Sequence, residues 1–408
     1  MNVFLTNTYH FFGGGDSVYT LNLDALLKKH NHNVIHFGMQ DSRNLPDSNV
    51  DLFVSNIDYK KLNQNKNLLN SLKVLSHSIY SIEAQIKFNK LIKRVRPDII
   101  HLNNIHHHIT PSIIIETKRN RIPLIWTLHD YKLLCPNTHF LIDKEDKICE
   151  ACKPNKYFQA MIRRCKKGSF LASTVVTLEA YVHRLLRVRE LVDAFITPSL
   201  FLKNKLLEYG FKENKIKHIP HFIPDNFFNF SPEEKNYFLY IGKISKIKGL
   251  AILIEAALLN PQCNVFIAGD GDKEVKENIL SKMPANVKYL GPQNREKVQE
   301  LIAESTAVIL PSLWYENQPF CILEAFAKGK PVIASKLGGM IELVGDNERG
   351  LLIPPGDPKA LAEAMEWIIQ NPAKTKALGK NAYEYVRKEH TPEKHYNEIM
   401  KVYEEVLE

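Results

Sequence analysis

The sequence predicts two doubly wound α/β domains of similar size, and three observations carry that expectation. Strand-like and helix-like segments alternate from end to end, as parallel sheets with right-handed crossovers require. The alternation stops once at Pro220-His221-Phe222-Ile223-Pro224-Asp225, where two prolines and no periodicity read as an interdomain linker. A chain of 408 residues is also too long for one ordinary core.

In order, Val3–Thr6 reads as a buried strand, Gly13-Gly14-Gly15 as a loop and Ser17–His30 as a helix. Asn33–Phe37 is a second strand. A helix over Ile82–Val95 ends at Arg96-Pro97, and Asp98–Leu102 and Pro123–Leu128 are strands. The pattern breaks over Lys132–Arg189, which holds four of the six cysteines, and resumes with strands at Leu191–Thr197 and Lys215–Ile219 around a helix from Ser199. The second series has strands at Phe238–Ile241, Val265–Ala268, Val287–Leu290, Val308–Leu310 and Val332–Ala334. Its helices are Gly249–Leu259, Arg295–Glu304, Phe320–Lys328 and Pro358–Gln370. Two more, near Pro372–Lys388 and Pro392–Leu407, close the chain. The expected domains are residues 1–220, with an insert at about 132–189, and residues 226–390. Residues 391–408 are expected to pack back toward the first domain. Sheets of this kind bind ligands at the carboxyl ends of their strands, so a cleft between the domains is the expected site.

Apolar residues make up 44% and charged residues 24% of the chain, as in soluble globular proteins. The N-terminus runs straight into a strand and a glycine loop and does not read as a secretory signal. No apolar run is long enough for a membrane span. Six cysteines without a signal point to the reducing cytoplasm. Residues 1–225 hold 32 Lys+Arg and 20 Asp+Glu, and residues 226–408 hold 22 and 25, so +12 and −3 combine to the formal +9. A basic first half favours an anionic partner, whether nucleic acid, a membrane face or a phosphorylated lipid, or is simply a solvated basic surface.

The second domain concentrates polar chemistry at strand ends. Gly242-Lys243-Ile244-Ser245-Lys246-Ile247-Lys248-Gly249 follows its first strand. Lys243 and Lys248 there suit a diphosphate, whose growing charge on departure they would stabilise, or form an exposed basic loop. Gly269-Asp270-Gly271-Asp272 and Gly291-Pro292-Gln293 end the next two strands. Such glycines admit a planar base to the backbone or merely punctuate the strands. Glu316 stands on a loop and Glu324 one turn into the helix that begins near Phe320. A helix start attracts anions, so carboxylates beside it suit a ligand with hydroxyls and phosphate, such as a nucleotide-sugar. The alternative is two glutamates that only complement the helix dipole.

These segments, together with Gly329-Lys330-Pro331-Val332, Gly338-Gly339 and Gly350-Leu351-Leu352-Ile353-Pro354-Pro355-Gly356-Asp357, resemble the nucleotide-sugar domain of family 4 of the retaining glycosyltransferases, of the bacterial surface-polysaccharide type. The resemblance spans nearly the whole chain. It implies the GT-B fold, two Rossmann-like domains facing across a cleft. It also implies transfer from a nucleoside-diphosphate sugar to the hydroxyl of a saccharide or lipid-linked saccharide. By the resemblance, Lys243 and Lys248 hold the donor diphosphate and no catalytic metal is expected. Glu316 contacts the donor sugar, the backbone of Gln318, Pro319, Phe320 and Cys321 the sugar and phosphate, and Glu324 the ribose. Gly242, Gly269, Asp270, Gly271, Gln293 and Asn317 complete the donor set. Many members have Arg where Lys243 stands, which keeps the charge here but loses the bidentate fork. Many have Gly-Phe-Gly after the first glutamate, where Asn317-Gln318-Pro319-Phe320 stands here. Front-face attack, with the leaving phosphate drawing the acceptor proton, is the accepted idea for the family.

In the first domain Gly14 and Gly15 precede a helix. Glycines permit positive φ and close substrate approach, and the resemblance places this loop beside the donor phosphate and acceptor. His129 ends the strand Trp126-Thr127-Leu128 and by the same resemblance lies near the reacting centre. His106-His107-His108 reads as a polar loop near the acceptor entrance, since adjacent residues on an extended segment face opposite ways. Cys135, Cys149, Cys152 and Cys165 fall within 31 residues and match a structural tetrathiolate zinc site, or reduced thiols in a small core. Basic residues of 153–189 interleave with Tyr157, Phe158, Phe170 and Tyr181, which suits an anionic membrane surface or a helix packed on the domain. The expected location is cytoplasmic, peripheral on the cytoplasmic face of the membrane. Two rivals stand beside this: a basic zinc-knuckle protein that binds nucleic acid, for which the glutamate pair has no use, and a same-fold nucleotide-sugar epimerase.

Overall fold

The computed structural model describes residues 1–56, 79–106, 108–231 and 234–408. The chain divides into two compact units, one of residues 1–198, 202–219 and 396–408, the other of residues 199–201 and 220–395.

The first unit is built on strands β1 (Asn2–Thr6), β2 (Asn33–Phe37), β3 (Ile99–Leu102) and β4 (Leu124–Thr127). A small antiparallel hairpin follows, β5 (Leu141–Ile142) with β6 (Lys147–Ile148), and then β7 (Ala194–Thr197) and β8 (Ile216–His218). The main sheet runs in the order β2-β1-β3-β4-β7-β8, parallel throughout. A parallel sheet covered on both faces needs apolar residues without alternation. Val3, Phe4, Leu5, Ile99, Ile100 and Leu102 accordingly have no exposure at all. The helix Ile82–Val95 starts where the Ser81 side chain accepts from the Ala84 amide, satisfying one of the free donors of the first turn. It ends with Arg96 at φ +45°, because the following proline disfavours helical geometry there.

The second unit carries β9 (Tyr237–Ile241), β10 (Asn264–Ala268), β11 (Val287–Gly291), β12 (Ala307–Leu310), β13 (Val332–Ser335) and β14 (Gly350–Ile353). Their order is β11-β10-β9-β12-β13-β14, again parallel. The expectation omitted β14. It is led by Gly350, where any Cβ would stand 2.0 Å from the Val332 carbonyl oxygen, so the strand reads in sequence only as part of a glycine-rich motif.

Pro220–Asp225 is more than a tether. Phe222 and Ile223 are buried, the Ile223 amide donates to the His390 carbonyl at 2.9 Å, and His390 Nδ1 lies 2.7 Å from the His221 carbonyl. The prolines erase periodicity and so conceal two core side chains. The last helix, Pro392–Leu407, starts in the second unit and continues in the first. There Tyr396 stacks on His30 at 3.6 Å and the Tyr403 hydroxyl lies 2.7 Å from His101 Nδ1. Among the described residues no helix is long and apolar enough to cross a membrane.

Candidate active site

In the second unit the sheet order reverses between β9 and β12, and in open α/β sheets ligands bind at such a switch point. The loops that leave these two strands are locked together. The Leu313 amide donates to the Ile247 carbonyl at 2.8 Å. Gly249, at φ +73°, lies so near the second loop that a Cβ would stand 1.9 Å from the Pro311 carbonyl oxygen. Lys248 Nζ reaches across to Glu316 Oε1 at 2.6 Å. The same oxygen accepts from Ser312 Oγ at 2.7 Å and Trp314 Nε1 at 2.8 Å, and the Lys248 ammonium lies 5.4 Å from the Trp314 ring centre. Glu316 is buried while Lys248 keeps 21% side-chain exposure. Sequence reasoning treats the two as separate ligand groups. The fold makes them one charge-assisted pair, because a buried carboxylate requires partners.

Gly338 and Gly339 serve this loop. Their missing Cβ atoms would fall 2.4 Å from the Glu316 carbonyl oxygen and 1.8 Å from that of Asn317, and the Gly339 amide donates to Glu316 O at 2.8 Å. Asn317 Oδ1 accepts from Ser199 Oγ at 2.5 Å. Gln318 Oε1 accepts from the His221 amide at 2.5 Å, and the His221 ring stacks on Phe320 at 5.1 Å. The departure from Gly-Phe-Gly is thus held by side chains: Asn317 anchors to Ser199, and Gln318 and Phe320 anchor to His221. The helix Phe320–Ala327 follows Pro319 with no side-chain cap; the Ile322 amide turns back to the Pro319 carbonyl at 3.2 Å, which leaves the Phe320 and Cys321 amides as the donors of the first turn.

Burial, followed by the nearby charges, ties the helix start to the pair. Burial raises the Cys321 thiol to about 12, with Glu324 and Glu316 adding to the rise and Lys248 opposing it. Burial also raises Glu324 to about 7, against Arg295 and Lys328. Lys248, Glu316, Cys321 and Glu324 therefore share one neighbourhood. Lys243 is exposed and forms no ion pair among the described residues. Its carbonyl accepts from the Tyr240 hydroxyl at 2.9 Å.

Gly269 and Gly271 have a packing role of their own. Cβ atoms on Gly269 and Gly271 would stand 1.9 Å from the carbonyl oxygens of Gly242 and Ile244. The loops after β9 and β10 are thus zipped to each other, with Ile244 N donating to Asp270 O at 2.9 Å. The Asp270 carboxylate pairs with Lys276 at 2.7 Å. The Gln293 side chain donates to Leu290 O at 2.5 Å.

The first sheet reverses between β1 and β3. Gly14 and Gly15 open the helix Gly15–Lys29 without positive φ. The triple glycine therefore does not answer a left-handed backbone. A Cβ on Gly14 would crowd Asp16 at 2.8 Å. Burial raises Asp16 above the ordinary carboxylate range, Asp130 adding to the rise. His129 Nε2 lies 2.9 Å from Asn103 Oδ1, its ring packs on Tyr19 at 5.0 Å, and burial lowers it to about 4, so it is neutral at pH 7. Burial would raise the neighbouring Asp130, yet His106 at 3.6 Å and the Lys132 amide hold it well below the carboxylate range. A cavity of about 550 Å³ opens at this switch point, bounded by Thr8, Asn104, His106, His108 and Asp130 from the sheet and by His139, Lys166 and Lys167 from the insert. Asp16 and Lys166 were absent from the sequence-derived set, because nothing in their local pattern marks them, whereas His106 entered only through the histidine run read as a polar loop near the acceptor entrance. Of the three histidines in a row, His106 and His108 line this cavity and His107 lies outside the described residues.

Two family profiles match the chain, Glycosyltransferase Family 4 over residues 13–227 and Glycosyl transferases group 1 over residues 223–385. The chain belongs to glycosyltransferase family 4. An uncharacterized 42.6 kDa protein from the cps region of Klebsiella pneumoniae is 26% identical over 84% of this chain and 87% of that protein. The O-antigen chain mannosyltransferase C of Escherichia coli is 31% identical over 36% of this chain and 40% of its own length. The crystal structure of Anabaena HepE with UDP-glucose superposes with a TM-score of 0.68 at 18% identity, covering 98% of this chain and 99% of that one. The fold is GT-B, and this family-4 protein is an enzyme of glycosyl transfer. Nothing in these likenesses supports the nucleic-acid or epimerase readings.

The insert gathers its cysteines. Cys152 and Cys165 share a small core with Ile142, Tyr157 and Ala160, and Cys149 packs against it. Burial, with Cys135 first among the neighbouring thiols, raises Cys165 to about 12. As they stand, no three His, Cys, Asp or Glu side chains among the described residues form a group that would hold a metal ion.

Proposed function

We propose that this enzyme transfers a sugar, with retention of configuration, from a nucleoside diphosphate to a hydroxyl of a saccharide acceptor in the making of a bacterial surface polysaccharide. The observation that carries it is the Lys248–Glu316 pair at the switch point, beside the uncapped start of the helix Phe320–Ala327. Lys248, Lys243 and the helix amides would receive the diphosphate. An ammonium shared between Glu316 and a phosphate gains most as negative charge grows on the leaving group, so the arrangement favours the transition state over the bound substrate. Glu316 would then turn acceptor capacity toward the sugar hydroxyls, and Glu324 toward the ribose. His129, neutral and held by Asn103, would offer a hydrogen bond near the reacting centre. Front-face attack, with the departing phosphate taking the acceptor proton, needs no protein nucleophile. Complexes with UDP-glucose and with UDP among structures of the same fold support a nucleotide-sugar donor.

The test is thermal shift of the purified chain against UDP-, GDP- and ADP-sugars, followed by nucleoside diphosphate release. One nucleotide series is expected to raise the melting temperature, and no response to any of them would overturn the reading.

A lipid-linked acceptor and a site on the cytoplasmic membrane face belong to the same proposal. Phe158, Ile162, Leu171, Leu178, Tyr181 and Leu185 are exposed on the insert, Leu171 by 76% and Leu185 by 82%. Arg163, Arg164, Arg184 and Arg187 are exposed in the same segment. Its only acid between Tyr157 and Arg189 is Glu179, sealed against Lys132 at 2.7 Å. Exposed apolar side chains among unopposed cations suit an anionic bilayer. Vesicles of phosphatidylglycerol and phosphatidylcholine should sediment the protein and pure phosphatidylcholine should not. The triple variant L171S/L178S/L185S should stay in solution.

A structural zinc in the insert is proposed on the mutual nearness of Cys135, Cys149, Cys152 and Cys165, which a metal would draw together. Metal analysis of untagged protein decides it, with one zinc per chain expected and none overturning it.

A further inference from the structure

Lys166 and Lys167 reach the cavity of the first unit from the insert. Neither ammonium has a carboxylate within ion-pair distance among the described residues, although Lys132, a few residues upstream of the insert's hairpin, has Glu179 at 2.7 Å. Lys166 is partly buried, and a cation withdrawn from water without a counter-ion is costly unless an anion arrives. The acids nearby are already engaged. Asp130 faces His106 at 3.6 Å and accepts from the Lys132 amide at 2.9 Å. Asp143 accepts from the Lys167 amide at 2.8 Å and from Asn137 Nδ2 at 2.6 Å. Asp16, behind Asn104, is held toward its neutral form.

The walls add donors. His106 is buried, and its Nδ1 has no hydrogen-bond partner among the described residues. Thr8 and Asn104 come from the two loops that flank the switch point, joined by Thr8 N to Asn104 O at 2.7 Å. Thr138 and Lys167, which also line the cavity, sit at φ +76° and +54°. A β-branched residue rarely adopts that conformation, and such strain persists where the surroundings fix it, commonly at ligand sites. A volume of about 550 Å³ is that of a small-molecule pocket.

We propose that this cavity binds a phosphate group of the acceptor, so that the enzyme takes a phosphate-linked saccharide and not a neutral one. Lys166 and Lys167 supply the charge, and His106, Thr8 and Thr138 supply directed hydrogen bonds. The proposal rests on the reading of the chain as a transferase with a saccharide acceptor, and it adds the chemical class of that acceptor. It makes the insert a recognition element whose inner face holds phosphate.

The test is calorimetric titration of the full chain with inorganic pyrophosphate, which addresses both anion sites. Wild type is expected to bind two equivalents. K243A/K248A should lose the donor-side equivalent and K166A/K167A the acceptor-side one. Two equivalents retained by K166A/K167A would overturn the acceptor site, whereas two retained by K243A/K248A would overturn only the donor-site reading. Lys167 is exposed, so K167E folds regardless of the insert's packing. It should weaken the acceptor-side equivalent about tenfold, for a charge-assisted contact turned repulsive, and unchanged affinity would count against the site. In the K243A/K248A background, farnesyl diphosphate binding at least tenfold tighter than pyrophosphate assigns the phosphate to a lipid carrier. Equal binding assigns it to a water-soluble sugar phosphate.

Discussion

Lys132–Glu179 and Lys248–Glu316 are ion pairs of nearly equal length, 2.7 and 2.6 Å, in different surroundings. In the first, both side chains are 3% exposed, and Lys132 also donates to the Pro136 carbonyl at 3.2 Å. It fastens the start of the insert to the helix Phe170–Leu185. In the second, the carboxylate is buried under two further donors while the ammonium retains 21% exposure at a sheet switch point. A sealed pair can only hold structure. A pair with one reachable partner can exchange that partner for a ligand. Length alone says nothing about which is which; access does.

The contrast can be broken first at the sealed pair. Lys132→Ala leaves a buried uncompensated carboxylate and should cost about 3–5 kcal/mol of stability, read as a lower urea midpoint. Turnover per folded molecule should stay near wild type. If it falls a hundredfold in folded protein, the pair is not purely structural.

Next in size is Lys248→Ala. Removing one stabiliser of the leaving group should lower kcat/KM by roughly 10²–10³, with a smaller loss of stability than at Lys132. Steady-state release of nucleoside diphosphate measures it. Wild-type turnover would remove Lys248 from the reaction.

Gly339→Ala sharpens the comparison by moving the loop instead of the charge. Its Cβ would meet the Asn317 carbonyl oxygen at 1.8 Å, so the chain must shift, at about 1–3 kcal/mol. KM for the donor should rise as Glu316 is displaced. An unaltered KM would mean the loop position is not what orients the pair.

The effect of pH is the most gradual. Burial places Glu324 at about 7, above its ordinary value of about 4.3. Between those values the folded chain holds a proton that the unfolded chain has released. Stability therefore falls as pH rises through that window, by up to about 1.4 kcal/mol per pH unit. Glu324→Gln should flatten that slope in urea titrations at pH 4.5 to 7. The share of Glu342, also raised to about 7 by burial, would remain. An unchanged slope would show that Glu324 is ionised throughout.

Parallel β strands were legible because their side chains pack on both faces. Val3–Leu5 and Val308–Leu310 form unbroken buried apolar runs within β1 and β12. The insert was not legible, since Phe158, Leu171 and Leu185 are exposed and a partnerless apolar face carries the same periodicity as a core face. Four residues of the candidate site, Lys243, Lys248, Glu316 and Glu324, were visible from their order around strands and a helix start. Asp16 and Lys166 were not, because each acquires its role from neighbours distant in the chain, and His106 was legible only as one of a polar histidine run.

Residue order alone settled the alternation of strands and helices, the two-sheet architecture and the positions of the lysine loop and the two glutamates, since these follow from local periodicity and turn chemistry. Only the tertiary structure decided that Lys248 and Glu316, 68 residues apart, are one pair, that Gly269 and Gly271 admit a neighbouring loop, and that Lys166 has no carboxylate within ion-pair distance among the described residues. Those facts depend on distances between strands that a linear sequence does not contain, because burial and pairing are set by what the fold brings alongside.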